Sequence, residues 1–268
     1  SQLALEAGLP PGALNIVAGL GDRAGAALSN HPEINFMSFT GSPRVGTLVQ
    51  QATANHFVGC TLELGGKSPQ LIFADADFEK AVPVIVKAIV QHAGQTCSAG
   101  SRILVQKEIY NEFMTQVAAH FAKVRVGTPD MDLDCGPVMN AKQRNLVEGF
   151  REEAISSGIE LLSEGVFAEG LDQSGFWVKP ALFGNVPRDH RLACDEVFGP
   201  VLSAIPFEDE LDAIKLANAT DYGLVGSVWT KDGNRQQRVA KRMNCGQVFI
   251  NNFGAGGGVE LPFGGMKK

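Results

Sequence analysis

Short apolar runs alternate with amphipathic stretches along almost the whole chain, and the alternation predicts strand–helix–strand order. In the first quarter, residues 13–18, 34–39 and 57–64 read as strands, and 22–30 and 42–55 as helices between them. Strands separated by helices in this way form a parallel sheet with helices on its faces. Three strands are fewer than a complete dinucleotide-binding sheet carries.

A second α/β series follows. Strands are predicted at 70–73, 103–106, 159–163, 201–206, 224–229 and 247–251, with an extended stretch at 177–182. Helices are predicted at 77–92, 108–123, 141–157, 211–219 and 235–243. The glycine-rich stretch 254–258 reads as a flexible loop. The expected organisation is a partial dinucleotide-binding domain over 1–64, a catalytic thiol domain over 65–251 and a return segment over 252–268. The fold class is α/β. The opening Ser1-Gln2-Leu3-Ala4-Leu5-Glu6-Ala7 reads as a helix tail ended by Gly8, without Met, and no element closes at Lys267-Lys268. Both ends are therefore expected to be those of a piece cut from a longer protein.

Composition narrows the function classes. A net charge of −6 argues against nucleic acid and anionic membranes as partners. The strongest apolar run, 81–90, is interrupted by Pro83 and Lys87, too short and too polar to span a bilayer. The five cysteines (Cys60, Cys97, Cys135, Cys194, Cys245) are odd in number and scattered, with no spacing that suggests zinc, so no metal site is expected. Dispersed thiols fit a reducing compartment, and the expected location is cytoplasmic. Cys60, Cys135, Cys194 and Cys245 read as small core hydrophobes.

Cys97 differs from the other four in context. It lies in Gly94-Gln95-Thr96-Cys97-Ser98-Ala99-Gly100, where small neighbours leave little bulk over the thiol and let backbone N–H groups approach an oxyanion. A lone cysteine is most often inert core. Thirty-four residues earlier, Glu63 ends an apolar strand in Glu63-Leu64-Gly65-Gly66-Lys67-Ser68-Pro69, and the glycine pair turns the backbone sharply there. A thiol nucleophile and a carboxylate base together suit covalent chemistry on a carbonyl. In Phe39-Thr40-Gly41-Ser42-Pro43, Ser42 is placed as an N-cap and Pro43 at the first helical position, leaving a helix terminus that suits an anion or is simply well capped. In Glu196-Val197-Phe198-Gly199-Pro200, the carboxylate could accept from two vicinal hydroxyls. Phe253 and Phe263 either line an apolar pocket or belong to the core, and Arg102 either meets an acidic substrate or forms a structural ion pair.

These four segments, with Leu261-Pro262-Phe263-Gly264-Gly265, resemble the aldehyde dehydrogenase family along essentially the whole chain. The resemblance implies a partial Rossmann-type cofactor sheet plus a second α/β catalytic domain, with NAD or NADP as cofactor. It implies Cys97 as nucleophile and Glu63 as the base that activates the deacylating water. It places Gly41, Ser42 and Gly65 with the cofactor, Glu196 on the nicotinamide ribose and Phe198 near the nicotinamide, with Phe253 and Phe263 by the substrate. The implied partner is a small aldehyde, and the parent a homodimer or homotetramer. It further implies that the opening cofactor strands, an oxyanion-hole asparagine and a ribose-binding lysine lie before Ser1, so weak activity is expected of this piece. Two other classes stay open: a cofactor-independent thiol esterase using Cys97 and Glu63, and a non-catalytic binding or assembly module.

Overall fold

The computed structural model describes residues 2–172, 174–254 and 260–268. Its contacts divide the chain into two units, Ser1–Leu64 and Gly65–Lys268.

The first unit comprises α1 (Gln2–Glu6), α2 (Ala26–Ser29), β1 (Phe36–Thr40), α3 (Pro43–Ala54) and β2 (Gly59–Glu63). The two strands are parallel, with Phe36 opposite Gly59 and Thr40 opposite Glu63. Helix α3 makes the crossover. The Ser42 side chain caps it, Pro43 supplies a preset first turn, and Val49, Ala52 and Thr53 form its buried face. Residues 13–18, expected as a strand, form turns and open chain that pair with no strand among the described residues. The segment is exposed, so water supplies the backbone partners a sheet would otherwise provide. The sheet of this unit therefore has two strands where the sequence pattern predicts three.

The second unit contains β3 (Pro69–Ile72), α4 (Phe78–Val90), β4 (Arg102–Gln106), α5 (Tyr110–Phe121) and β5 (Arg125–Val126). Next come α6 (Ala141–Ser156), β6 (Glu160–Glu164), β7 (Val166–Phe167), β8 (Ala181–Gly184) and α7 (Arg191–Cys194). β9 (Val201–Phe207), α8 (Glu210–Ala217), β10 (Val225–Trp229), α9 (Gly233–Ala240) and β11 (Gln247–Ile250) complete it. Seven strands form one sheet in the order β11-β10-β3-β4-β9-β8-β6, parallel throughout except for antiparallel β6 at one edge. β3, β8 and β10 are buried at every position, which is why they show no regular alternation of apolar and polar residues. The core is fastened by edge-on aromatic pairs, Phe73 with Phe207 and Phe78 with Phe113. The extended stretch expected at 177–182 pairs only from Ala181 onward. From residue 255 on, the glycine-rich stretch 254–258 lies outside the described residues. Of the four thiols expected in the core, Cys135 is buried, while Cys60, Cys194 and Cys245 are half-buried.

Candidate active site

In the first unit the parallel pairing brings three of the predicted residues to one end of the sheet. Thr40 and Glu63 are register partners at the carboxyl ends of β1 and β2, and the Gly41 N–H donates to the Glu63 carbonyl at 3.0 Å. Ser42 follows at once, its hydroxyl accepting from the Val45 N–H at 3.4 Å. The first turn of α3 carries no acidic residue, so its free N–H groups face no competing carboxylate of their own helix. Burial pushes the Glu63 carboxyl above its ordinary range, which suits a base working closer to neutral pH.

In the second unit three loops converge. Past the end of α4 the chain runs through His92, Ala93 and Gly94 with φ of 54°, 53° and 69°. Two successive non-glycine residues in the left-handed region cost about 1–2 kcal/mol each, and such strain gathers at functional sites. Gly94 is required there, because a Cβ would lie 2.2 Å from the Gly199 carbonyl. Gly66 is held as tightly on the other side, where a Cβ would lie 2.0 Å from the Cys97 carbonyl oxygen. Gly65 leaves room for Glu196, whose Oε2 would be 2.7 Å from an added Cβ. The Glu196 Oε1 accepts from the Gly66 N–H at 3.0 Å. Backbone contacts that only glycine permits therefore bind the segments carrying Cys97, Gly65 and Glu196 into one cluster.

The cluster's electrostatics follow from burial. Desolvation raises the Glu196 carboxyl, with the Gly66 N–H and the Lys67 ammonium pulling partly back. Lys67 is 1% exposed and its Nζ has no hydrogen-bond partner among the described residues. Desolvation lowers it to about 7, the neighbouring Arg102 guanidinium acting in the same direction. Burial pushes the thiols of Cys135 up to about 12 and Cys245 up to about 11, which leaves both inert near neutral pH. Cys97 itself is half-buried.

Phe198 has φ 53° and is 37% exposed. Phe253 lines a cavity with Thr96 and Ser98, the two neighbours of Cys97. Phe263 is 40% exposed and lies outside that cavity, so it is not a core residue. Arg102 meets neither of its expectations. It is 2% exposed and donates to the carbonyls of Lys67, Leu216 and Ala217 at 2.9, 3.1 and 3.0 Å, tying the glycine-pair segment to the end of α8.

Several residues of the cluster escape the sequence reading. The Gln143 amide donates to the carbonyls of Val197 and Phe198 at 3.1 and 2.7 Å. Its position three residues after the N-cap Asn140 reads only as a helix start. Tyr222 packs against Gly65, and no local pattern marks it. Gly94 alone carried a signal, a glycine closing a predicted helix. Among the described residues no three His, Cys, Asp or Glu side chains gather as a metal-binding group, and no helix is long and apolar enough to cross a membrane.

A parallel α/β sheet with a thiol loop, a glycine-pair turn and a Glu-x-Phe-Gly-Pro segment packed together defines a class. The aldehyde dehydrogenase family model matches residues 1–268, and the chain belongs to that family. It is 40% identical over 264 residues to human retinal dehydrogenase 2, covering 98% of this chain and 50% of that one. It is 38% identical over 269 residues to betaine aldehyde dehydrogenase of Bacillus subtilis, covering 100% of this chain and 55% of the relative. Among solved structures, betaine aldehyde dehydrogenase from Staphylococcus aureus, in complex with NAD+, superposes with a TM-score of 0.94 at 38% identity, over 99% of this chain and 53% of that one. The chain spans about half the length of the relatives it matches.

Proposed function

We propose that the protein oxidises an aldehyde to a carboxylic acid, with Cys97 as nucleophile and NAD or NADP as cofactor. The observation that carries this reading is the convergence of Cys97, the glycine pair and Glu196 through contacts a single Cβ would abolish. The Cys97 thiolate attacks the carbonyl carbon, a C–S bond forms, and the carbonyl electrons move to oxygen. NAD or NADP, when bound, would supply the hydride acceptor, and Cys97 would hold the carbon as a thioester once the hydride has left it. Glu63 takes a proton from water, the hydroxide adds to the thioester, the C–S bond breaks, and the acid leaves.

The residues present suit such a cofactor. Gly41 and Ser42 open the N-terminus of α3 toward an anion, and the role proposed for them is to meet the pyrophosphate. Glu196 keeps Oε2 in the space that Gly65 leaves, which suits acceptance from ribose hydroxyls, and the exposed face of Phe198 suits the nicotinamide. Phe253, beside the thiol loop, serves the aldehyde, and Phe263 is its proposed companion. The same reading makes the whole protein a cytoplasmic homodimer or homotetramer.

Acylation by an activated ester tests the assignment without cofactor. Intact and peptide mass spectrometry should find the acyl group on Cys97, and Glu63→Gln should slow its loss by about a hundredfold. An adduct on another residue, or one whose decay ignores Glu63→Gln, would overturn the assignment.

A further inference from the structure

Beside the thiol loop lies a cavity of about 270 Å3, whose lining includes Lys87, Gln91, Thr96, Ser98, Asn252 and Phe253. Thr96 and Ser98 flank Cys97, so the cavity adjoins the nucleophile. Its wall on α4 is set by helical periodicity. Val84, Lys87, Ala88 and Gln91 face it, while Ile85, Val86, Ile89 and Val90 face the core. Among the described residues no carboxylate lines the cavity, and Lys87 is the one basic side chain on it.

Lys87 is free to use its charge. Lys80, earlier on the same helix, is paired with Asp77 at 3.4 Å, whereas Lys87 makes no ion pair among the described residues. A cation in the last turn of α4 also favours the helix dipole, but that needs neither a cavity nor polar neighbours. Here polar neighbours are present. The Asn252 Oδ1 accepts from the Phe253 N–H at 2.9 Å, which engages the oxygen of that amide with the backbone. Gln91, the C-cap residue of α4, also lines the cavity. Phe253 supplies an apolar surface to the same cavity.

We propose that this cavity selects aldehydes bearing a carboxylate at the far end of their carbon chain, with Lys87 as the specificity-determining residue. The proposal rests on Cys97 being the nucleophile: the aldehyde carbon meets Cys97, the chain lies along Phe253, and the carboxylate meets Lys87. A charge-assisted hydrogen bond of this kind changes binding by about tenfold or more.

Thiol-directed probes test it independently of turnover. Two iodoacetamides, one with a carboxypropyl and one with an uncharged butyl tail on nitrogen, are reacted with the full chain, and Cys97 alkylation is followed by peptide mass spectrometry. The carboxylated reagent should be favoured, and its rate relative to the butyl reagent should fall about tenfold in Lys87→Met and further in Lys87→Glu. Lys80→Met should leave the ratio where it is. Selective labelling of Cys97 with a ratio indifferent to Lys87→Met overturns the specificity proposal and leaves the nucleophile standing. Failure of both reagents to prefer Cys97 overturns the nucleophile and the proposal with it.

Discussion

Replacing Lys67 by methionine should stabilise the second unit at neutral pH, and the size of the gain is set by burial. The ammonium is 1% exposed and its Nζ has no hydrogen-bond partner among the described residues. Desolvation and Arg102 hold it down to about 7 from 10.5, against the pull of Glu196 and Asp195. The unfolded chain keeps this proton up to its ordinary value. Between about pH 7 and 10.5 the unfolded state therefore binds more protons than the native one, and stability must rise with pH across that window. Below about 7 the native amine is protonated too, and the penalty becomes constant.

The gap corresponds to about 5 kcal/mol at its limit, which relaxation and water entry reduce to about 2–4 kcal/mol. Methionine keeps most of the apolar stem and removes the charge. Lys67→Met should accordingly gain about 2–4 kcal/mol at pH 7, with the advantage shrinking by about 1 kcal/mol per pH unit toward pH 10. Urea unfolding at several pH values, followed by tryptophan fluorescence, is a suitable assay, because Trp177 and Trp229 both lie in the second unit. A variant less stable than the parent at pH 7, or a difference that does not change with pH, would refute the reasoning.

Three further outcomes are expected. Gly66→Ala places a methyl group 2.0 Å from the Cys97 carbonyl oxygen, so the thiol loop must shift; the Cys97 alkylation rate should fall at least tenfold, with about 1–3 kcal/mol lost in urea unfolding. Arg102→Met takes the buried guanidinium from the carbonyls of Lys67 and Ala217, while the Leu216 carbonyl keeps the Ala219 N–H, and should cost about 2–3 kcal/mol; Arg102→Lys should recover little because an ammonium cannot reproduce the fork. His92→Gly relieves a left-handed residue that is exposed and should gain about 1 kcal/mol in the same assay.

What could be read in the sequence divides along physical lines. The strands β3, β4, β9 and β10 stand where short, largely apolar runs predict them, because a strand covered on both faces carries few polar residues. Residues 13–18 carry the same apolar character without becoming a strand, since pairing depends on a neighbour that local pattern does not encode. The two-residue strands β5 and β7 are too short for any periodicity. At the candidate site, Cys97, Glu63 and Glu196 stood out by motif. Gln143 and Tyr222 reach the cluster through contacts across large sequence separations, and Arg102 was visible as a charge while its three carbonyl partners were not. The Nζ of Lys67, without a hydrogen-bond partner among the described residues, lies inside a recognised motif, but only burial reveals it.

The central claim is that Cys97 is the reactive thiol, and a labelling map tests it most directly. The chain would be treated with substoichiometric iodoacetamide near neutral pH, with and without NAD+, and label quantified at each of the five cysteines by mass spectrometry. The account predicts label concentrated on Cys97, little on Cys135 and Cys245, whose thiols burial holds protonated, and a rate at Cys97 that changes when NAD+ is added. Label that spreads across Cys60 and Cys194 while passing over Cys97 would contradict it.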